Sequence, residues 1–160
     1  MLPVSKMSKK PAPLLKTILV GTDFSVCAAR AFSFGVSLAA SQDAKIHIVH
    51  VLIEPVQAFD VAGALPYLDV STQKEWEEAT KKRLLAAVAS AEKRGGRATS
   101  EFLWGRPSDA IVETAVRTKA ALVVLGTHGR SALEKLLIGS TAERVVRLCP
   151  VPVLTVREKR

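Results

Sequence analysis

Five short apolar runs, separated by stretches of helical periodicity, decide what this chain can fold into. Residues 16–21, 45–52, 98–103, 120–125 and 151–156 are too short for core helices. They are rich in Val, Ile and Leu, so each reads as a buried strand. The intervals carry helix signals. Ser25 is a suitable N-cap for a helix reaching to about Gln42, whose apolar positions Ala28, Ala31, Phe32, Gly35, Val36 and Leu38 recur at helical spacing. Thr72-Gln-Lys-Glu75 has the capping-box pattern and predicts a second helix that stops at Gly95-Gly96. Its core stripe is read as Trp76, Thr80, Leu84, Ala87, Val88 and Ala91. Pro107 opens a third helix, carrying Ile111, Val112, Ala115 and Val116, and a fourth runs from Ser140 to Leu148. Strict alternation of this kind predicts an α/β fold, a five-stranded parallel sheet sandwiched by four helices with right-handed crossovers. Aliphatic side chains dominate, with aromatics only 5% of the 160 residues, which suits such a sheet. The length predicts a single domain over residues 16–157, with a flexible segment 1–15 before it and a basic tail 158–160 after it. The connection 53–71, with Pro55, Gly63 and Pro66, is longer than a simple turn needs.

Parallel α/β sheets bind ligands beyond the carboxyl ends of their strands, where strand order reverses. Segments 21–25, 50–54 and 126–141 all begin at such ends. The last holds the most specific pattern of the chain: Gly126-Thr127-His128-Gly129, then nine residues, then Gly139-Ser140-Thr141. Glycine lets backbone N–H groups come close to an anion and adopts positive φ readily. The first N–H groups of a helix lack intrahelical partners and carry the positive end of its dipole. Ser140 and Thr141 add hydroxyl donors. A phosphate chain is the ligand such geometry suits.

The spacing G-x2-G-x9-G-S resembles the nucleotide loop of the universal stress protein family, its ATP-binding branch in particular. Other motifs resemble that family in the same order: Thr17-Ile-Leu-Val-Gly-Thr-Asp23-Phe-Ser25, His47-Ile-Val-His50-Val51-Leu52, Trp104-Gly105-Arg-Pro107, and Pro150-Val-Pro152-Val-Leu-Thr-Val156. The resemblance implies a Rossmann-like, adenine nucleotide alpha hydrolase-like sheet of order 3-2-1-4-5, with strands one and four side by side. It implies ATP as ligand, with ADP or AMP as alternatives and Mg²⁺ beside the phosphates. Gly21, Thr22, Asp23, Val51, Gly126, Thr127, His128, Gly129, Arg130, Ser131, Gly139, Ser140 and Thr141 are then the candidate nucleotide-binding residues. Asp23 would meet the nucleoside or the nucleotide-bound metal. Equally, it suits the N-terminal amides of the first helix. The backbone of Val51 would read an adenine edge, or Val51 is a plain core residue. Gly21 stands where proline is common in the family. The resemblance also implies a homodimer paired through the last strand, from Val151 to Val156, whose β-forming residues make an apolar edge.

Other residues are less specific. His47 and His50, three apart on one strand, point to opposite faces and cannot share a metal. His128 either approaches phosphate or packs its own loop. Arg130 is placed to reach a phosphate or to lie in solvent, and Arg106 to lie toward the flank of the sheet. No G-x4-G-K-[ST] loop, G-x-S-x-G elbow or G-x-G-x-x-G turn occurs, and no general base is placed near a γ-phosphate. The expected role is therefore regulatory, through ATP-biased conformation or dimerisation, with at most weak hydrolysis. A slow ATPase and a ligand-free interaction module are the competing readings. Seven of the 23 basic side chains, against one of the 15 acidic, lie in residues 1–16 and 157–160, so the body holds 16 against 14. The formal charge of +8 thus belongs to the two ends, and no nucleic-acid partner is expected. Cys27 and Cys149 lack CxxC spacing and read as buried, reduced thiols. No stretch has the length of a membrane span or a signal-peptide core, so a cytoplasmic protein is expected.

Overall fold

The computed structural model describes residues 14–53, 70–129 and 138–157. Along the chain run β1 (Thr17–Gly21), α1 (Val26–Gln42), β2 (Lys45–Leu52), α2 (Val70–Lys93), β3 (Arg97–Trp104), α3 (Pro107–Arg117), β4 (Leu122–Gly126), α4 (Ser140–Leu148) and β5 (Val153–Val156). All strand pairs are parallel, in the order β3-β2-β1-β4-β5. The segment 1–13, the connection 54–69, the loop 130–137 with Arg130 and Ser131, and the tail 158–160 lie outside the described residues.

The period-2 alternation of the strands builds two cores. Ile18, Val20, Ile46, Ile48 and Val124 pack with Ala31, Val36 and Ala39 of α1 and Leu84 and Ala91 of α2. Leu19, Val49, Val123 and Leu125 point the other way, to Ile111 and Ala115 of α3 and Val145 of α4. β1 and β4, at the centre of the sheet, are buried on both faces, which is why residues 18–20 and 122–125 are apolar without polar interruption.

Local signals explain most element ends. The Ser25 hydroxyl accepts the Ala28 N–H at 3.2 Å, the expected cap of α1. Pro107 is the first residue of α3. Gly95, at φ 80°, takes the left-handed turn that ends α2. Three expectations are corrected. The second helix begins at Val70, so Thr72 lies inside its first turn and the capping-box reading fails. The fourth strand begins at Leu122, because Ala120 and Ala121 are spent turning out of α3, their N–H groups bonding Ala115 and Thr17 carbonyls. The last strand begins at Val153, with Pro152 just before it. Cys27 is buried, but Cys149, just past α4, is only half-buried, and both are free thiols. Among the described residues no helix is long and apolar enough to cross a membrane.

Candidate functional site

β1 and β4 are neighbours at the centre of the sheet, and their chains part beyond it. A cavity of about 460 Å³ opens where they part. Gly21, Thr22, Asp23, Val51, Gly126, Thr127, His128, Gly129, Gly139, Ser140 and Thr141 all line it, so every candidate residue that is described converges there.

The loop glycines stand at close approaches. A Cβ on Gly126 would stand 3.0 Å from the Ala28 nitrogen and the Cys27 carbonyl carbon, so β4 passes beneath the start of α1 only as glycine. One on Gly129 would stand 2.8 Å from Asp23 Oδ2, and one on Gly139 3.2 Å from the Thr127 oxygen. The expectation of positive φ in this loop is corrected: among the described glycines that conformation occurs at Gly95 and Gly105. Gly21 also proves tighter than expected, since a Cβ there would meet Leu125 Cδ2 at 2.5 Å.

The start of α4 supplies donors. Gly139 is its N-cap and has no side chain to offer, while the Glu143 N–H closes the first turn onto the Gly139 carbonyl at 3.0 Å. The N–H groups of Ser140, Thr141 and Ala142 therefore have no intrahelical partner, and these residues line the cavity. The Gly139 N–H donates to the Thr127 carbonyl at 2.7 Å, which clamps the two glycine turns together.

Asp23 holds the turn before α1. Its Oδ1 accepts the Ser25 N–H at 2.9 Å, the helix-entrance role considered for it, while Oδ2 is the oxygen nearest Gly129. Thr22 donates its N–H to the Val49 carbonyl and accepts the Phe24 N–H on its hydroxyl. Phe24 sits at φ 61°, packed between the His50 ring, 4.8 Å away, and the Arg83 guanidinium, 4.1 Å away. His50 Nδ1 lies 2.7 Å from the Thr22 carbonyl, which can only accept, so that nitrogen carries the proton. His50 lines the cavity; it lies in the candidate ligand segment 50–54 but was not singled out as a site residue, because the sequence presented it as one of a histidine pair.

His47 faces the opposite side of the sheet, as its spacing requires. Its Nε2 donates to Glu101 Oε1 at 2.8 Å and its Nδ1 accepts the Thr99 hydroxyl at 2.8 Å. Burial pushes the Glu101 carboxyl up, but hydrogen bonds from His47 and Arg117 outweigh it and hold the carboxyl below the usual glutamate range. Arg106 stays away from the cavity beside Asp109 at 3.9 Å, toward the flank as expected. His128 Nδ1 bonds the buried Thr127 hydroxyl at 2.9 Å.

Val51 owes its place to ladder parity. Lys45 donates to Lys16 and Val49 accepts from Thr22, so odd residues of β2 turn their backbone toward β1. Leu52 accepts from Gly105, so even ones turn toward β3. Val51 thus directs its N–H and C=O past the last rung of β1, into the cavity. The far wall is apolar: Leu52 and Ile53 come from the candidate segment 50–54, while Trp76, Pro107 and Ile111 were missed. Trp76, assigned to the core stripe of α2, is instead 44% exposed, because the helix there extends beyond the strands it packs on.

The model of the universal stress protein family matches residues 15–157. The chain is 33% identical over 148 residues to a universal stress protein of Methanocaldococcus jannaschii, covering 92% of this chain and 85% of that one. It is 37% identical over 144 residues to one of Thermus aquaticus, covering 90% of this chain and all of that one. A universal stress protein solved in complex with cAMP superimposes with a TM-score of 0.66 at 28% identity, over 89% of this chain and 97% of that one. Four motifs in register, a five-stranded sheet of this order and a matching family model lead to one assignment: the chain belongs to the universal stress protein family.

Proposed function

We propose that the cavity binds an adenine nucleotide, ATP foremost, and that the protein is a nucleotide-responsive regulator rather than an enzyme. The observation that carries this reading is the pairing of two ends in one cavity. At one end the uncapped amides of α4 and the Gly126–Gly129 turn offer donors to phosphate. At the other, the Val51 amide and carbonyl lie among apolar side chains, as an adenine edge requires. The cAMP complex of a relative supports an adenine ligand.

The donors present fit a triphosphate with its metal. Ser140, Thr141 and the loop amides would hold the phosphates, and bound Mg²⁺ would supply charge neutralisation between them. Asp23 is the one acidic side chain among the described lining residues, so most ligands of such a metal would be phosphate oxygens. One Asp23 oxygen is bonded to the Ser25 N–H and His50 Nδ1 to the Thr22 carbonyl, so both groups are already held in structural contacts, which supports slow turnover.

A route from ligand to surface supports regulation. The Val156 carbonyl of the edge strand accepts the Thr127 N–H at 2.9 Å and the Cys27 thiol at 3.2 Å. Order in the 126–129 loop therefore bears directly on β5. Calorimetry with ATP, ADP, AMP and cAMP, with and without Mg²⁺, tests the binding. Heat and thermal stabilisation by ATP are expected, and silence from all four at millimolar concentration would overturn the reading. Phosphate release at roughly 1 per second or faster would overturn the regulatory half.

A further inference from the structure

Trp76 is the exception on its helix. Thr80 and Leu84, one and two turns further along α2, are buried against the sheet, whereas Trp76 lines the cavity and stays 44% exposed. An indole left open there forgoes burial that tryptophan normally gains. The turn that carries it is tethered: Trp104 Nε1 donates to Glu77 Oε1 at 3.1 Å, which ties α2 to the end of β3. Ile53, 59% exposed, extends the same apolar wall from β2, and Pro107 and Ile111 come from the opposite helical layer. Between them Val51 turns its backbone donor and acceptor inward. An apolar slot with one amide and one carbonyl along its edge fits a flat heteroaromatic ring.

We infer that Trp76 stacks on the nucleobase of the bound nucleotide and sets a preference for purines over pyrimidines. The inference rests on the nucleotide reading above and adds the residue that selects the base. A purine has the larger π-face, so an aromatic wall rewards it more than it rewards a pyrimidine.

The test is calorimetry of the full chain with ATP and CTP, on the parent, Trp76→Ala, Trp76→Leu and Trp76→Phe. The parent is expected to prefer ATP. Trp76→Ala is expected to bind ATP roughly 5- to 150-fold more weakly, the range found for losing one stacked base. CTP should lose less, so the ATP-to-CTP affinity ratio falls. Trp76→Leu keeps an apolar wall without a ring and should show the same fall, which covers the case in which the alanine variant folds poorly. Trp76→Phe should recover most of the ratio but lose the quenching of tryptophan fluorescence by ATP that is expected of the parent. If the parent binds ATP and the ratio is unchanged in Trp76→Ala and Trp76→Leu, the inference fails alone. If the parent binds neither nucleotide, the reading beneath it fails as well.

Discussion

A Cβ at residue 129 would press on Asp23 Oδ2 from 2.8 Å, and a branched side chain would project into the space between the two glycine turns. Gly129→Val is therefore expected to weaken ATP binding at least about tenfold, equivalent to about 1.4 kcal/mol, while leaving the far-UV spectrum of the fold intact. Calorimetry beside circular dichroism checks both halves. Gly126→Ala differs, because its Cβ meets helix backbone rather than a carboxylate that can turn aside. It should destabilise the whole protein by about 1–3 kcal/mol. Glu101 gives a prediction in pH. Its carboxyl is held below the ordinary value of 4.5 by His47 and Arg117, so the charged form favours the folded state. That stability is fully present above the unfolded value and is lost as pH falls through the lower folded value. Glu101→Gln should cost about 1 kcal/mol at neutral pH, and denaturant melts should show the difference from the parent shrinking below about pH 4.5. A difference constant down to acid unfolding would refute the assignment.

Elements depend on contacts their own sequence does not announce. Gly35 lies within α1, where glycine normally weakens a helix by about 1 kcal/mol relative to alanine. Here a Cβ would stand 2.7 Å from Val20 Cγ2 on β1, with Ile46 and Val124 next in line, all fully buried. Gly35→Ala is expected to destabilise by about 1–2 kcal/mol despite the better propensity. A gain in thermal stability would show that the sheet yields instead. The same distinction separates what could be read from the sequence from what could not. Short continuous apolar runs identified every strand, and helical spacing with cap, proline and glycine signals every helix, since all of these are local properties. The phosphate end of the cavity was legible because glycine spacing is local too. The apolar end was not. Trp76 falls in register with Thr80 and Leu84, and only the level at which the strands stop turns it from core to cavity wall. His50 joined the site through a carbonyl 28 residues away, a partnership no local pattern records. Thr72 misled because its capping motif sits inside a helix that started earlier.

At the scale of the molecule β5 is an edge, and its backbone decides what the edge can do. Val123 donates to the Pro152 carbonyl and Thr127 to that of Val156, so even residues of β5 turn toward β4. Pro152 lacks an N–H and cannot complete a ladder as a donor. It faces β4 and serves there as an acceptor alone, so its missing N–H leaves the outer edge untouched. By the same parity Val153 and Thr155 turn their backbone groups outward. Half-buried apolar residues flank that edge, and Val146 and Leu148 of α4 are 50% and 48% exposed. An edge of this composition, with no further strand on it among the described residues, pairs readily with a second chain, and a two-fold axis makes each substitution act twice. The parent is expected to sediment as a dimer at micromolar concentration. Thr155→Pro removes an outward donor without touching the β4 ladder, and Val153→Glu places a charge in the contact, so both should yield monomers. A parent that sediments cleanly at 17.2 kDa would refute the dimer. Because Val156 is bonded to the loop that carries Thr127, a linkage between the two equilibria is expected and can be measured. If ATP on both protomers tightens the dimer by some factor, each site of the monomeric Thr155→Pro variant must bind ATP more weakly by the square root of that factor, since coupling free energies are reciprocal and two sites share the change. Equal ATP affinity in parent and variant, measured above the dimer dissociation constant, would confine the nucleotide's effect to the cavity.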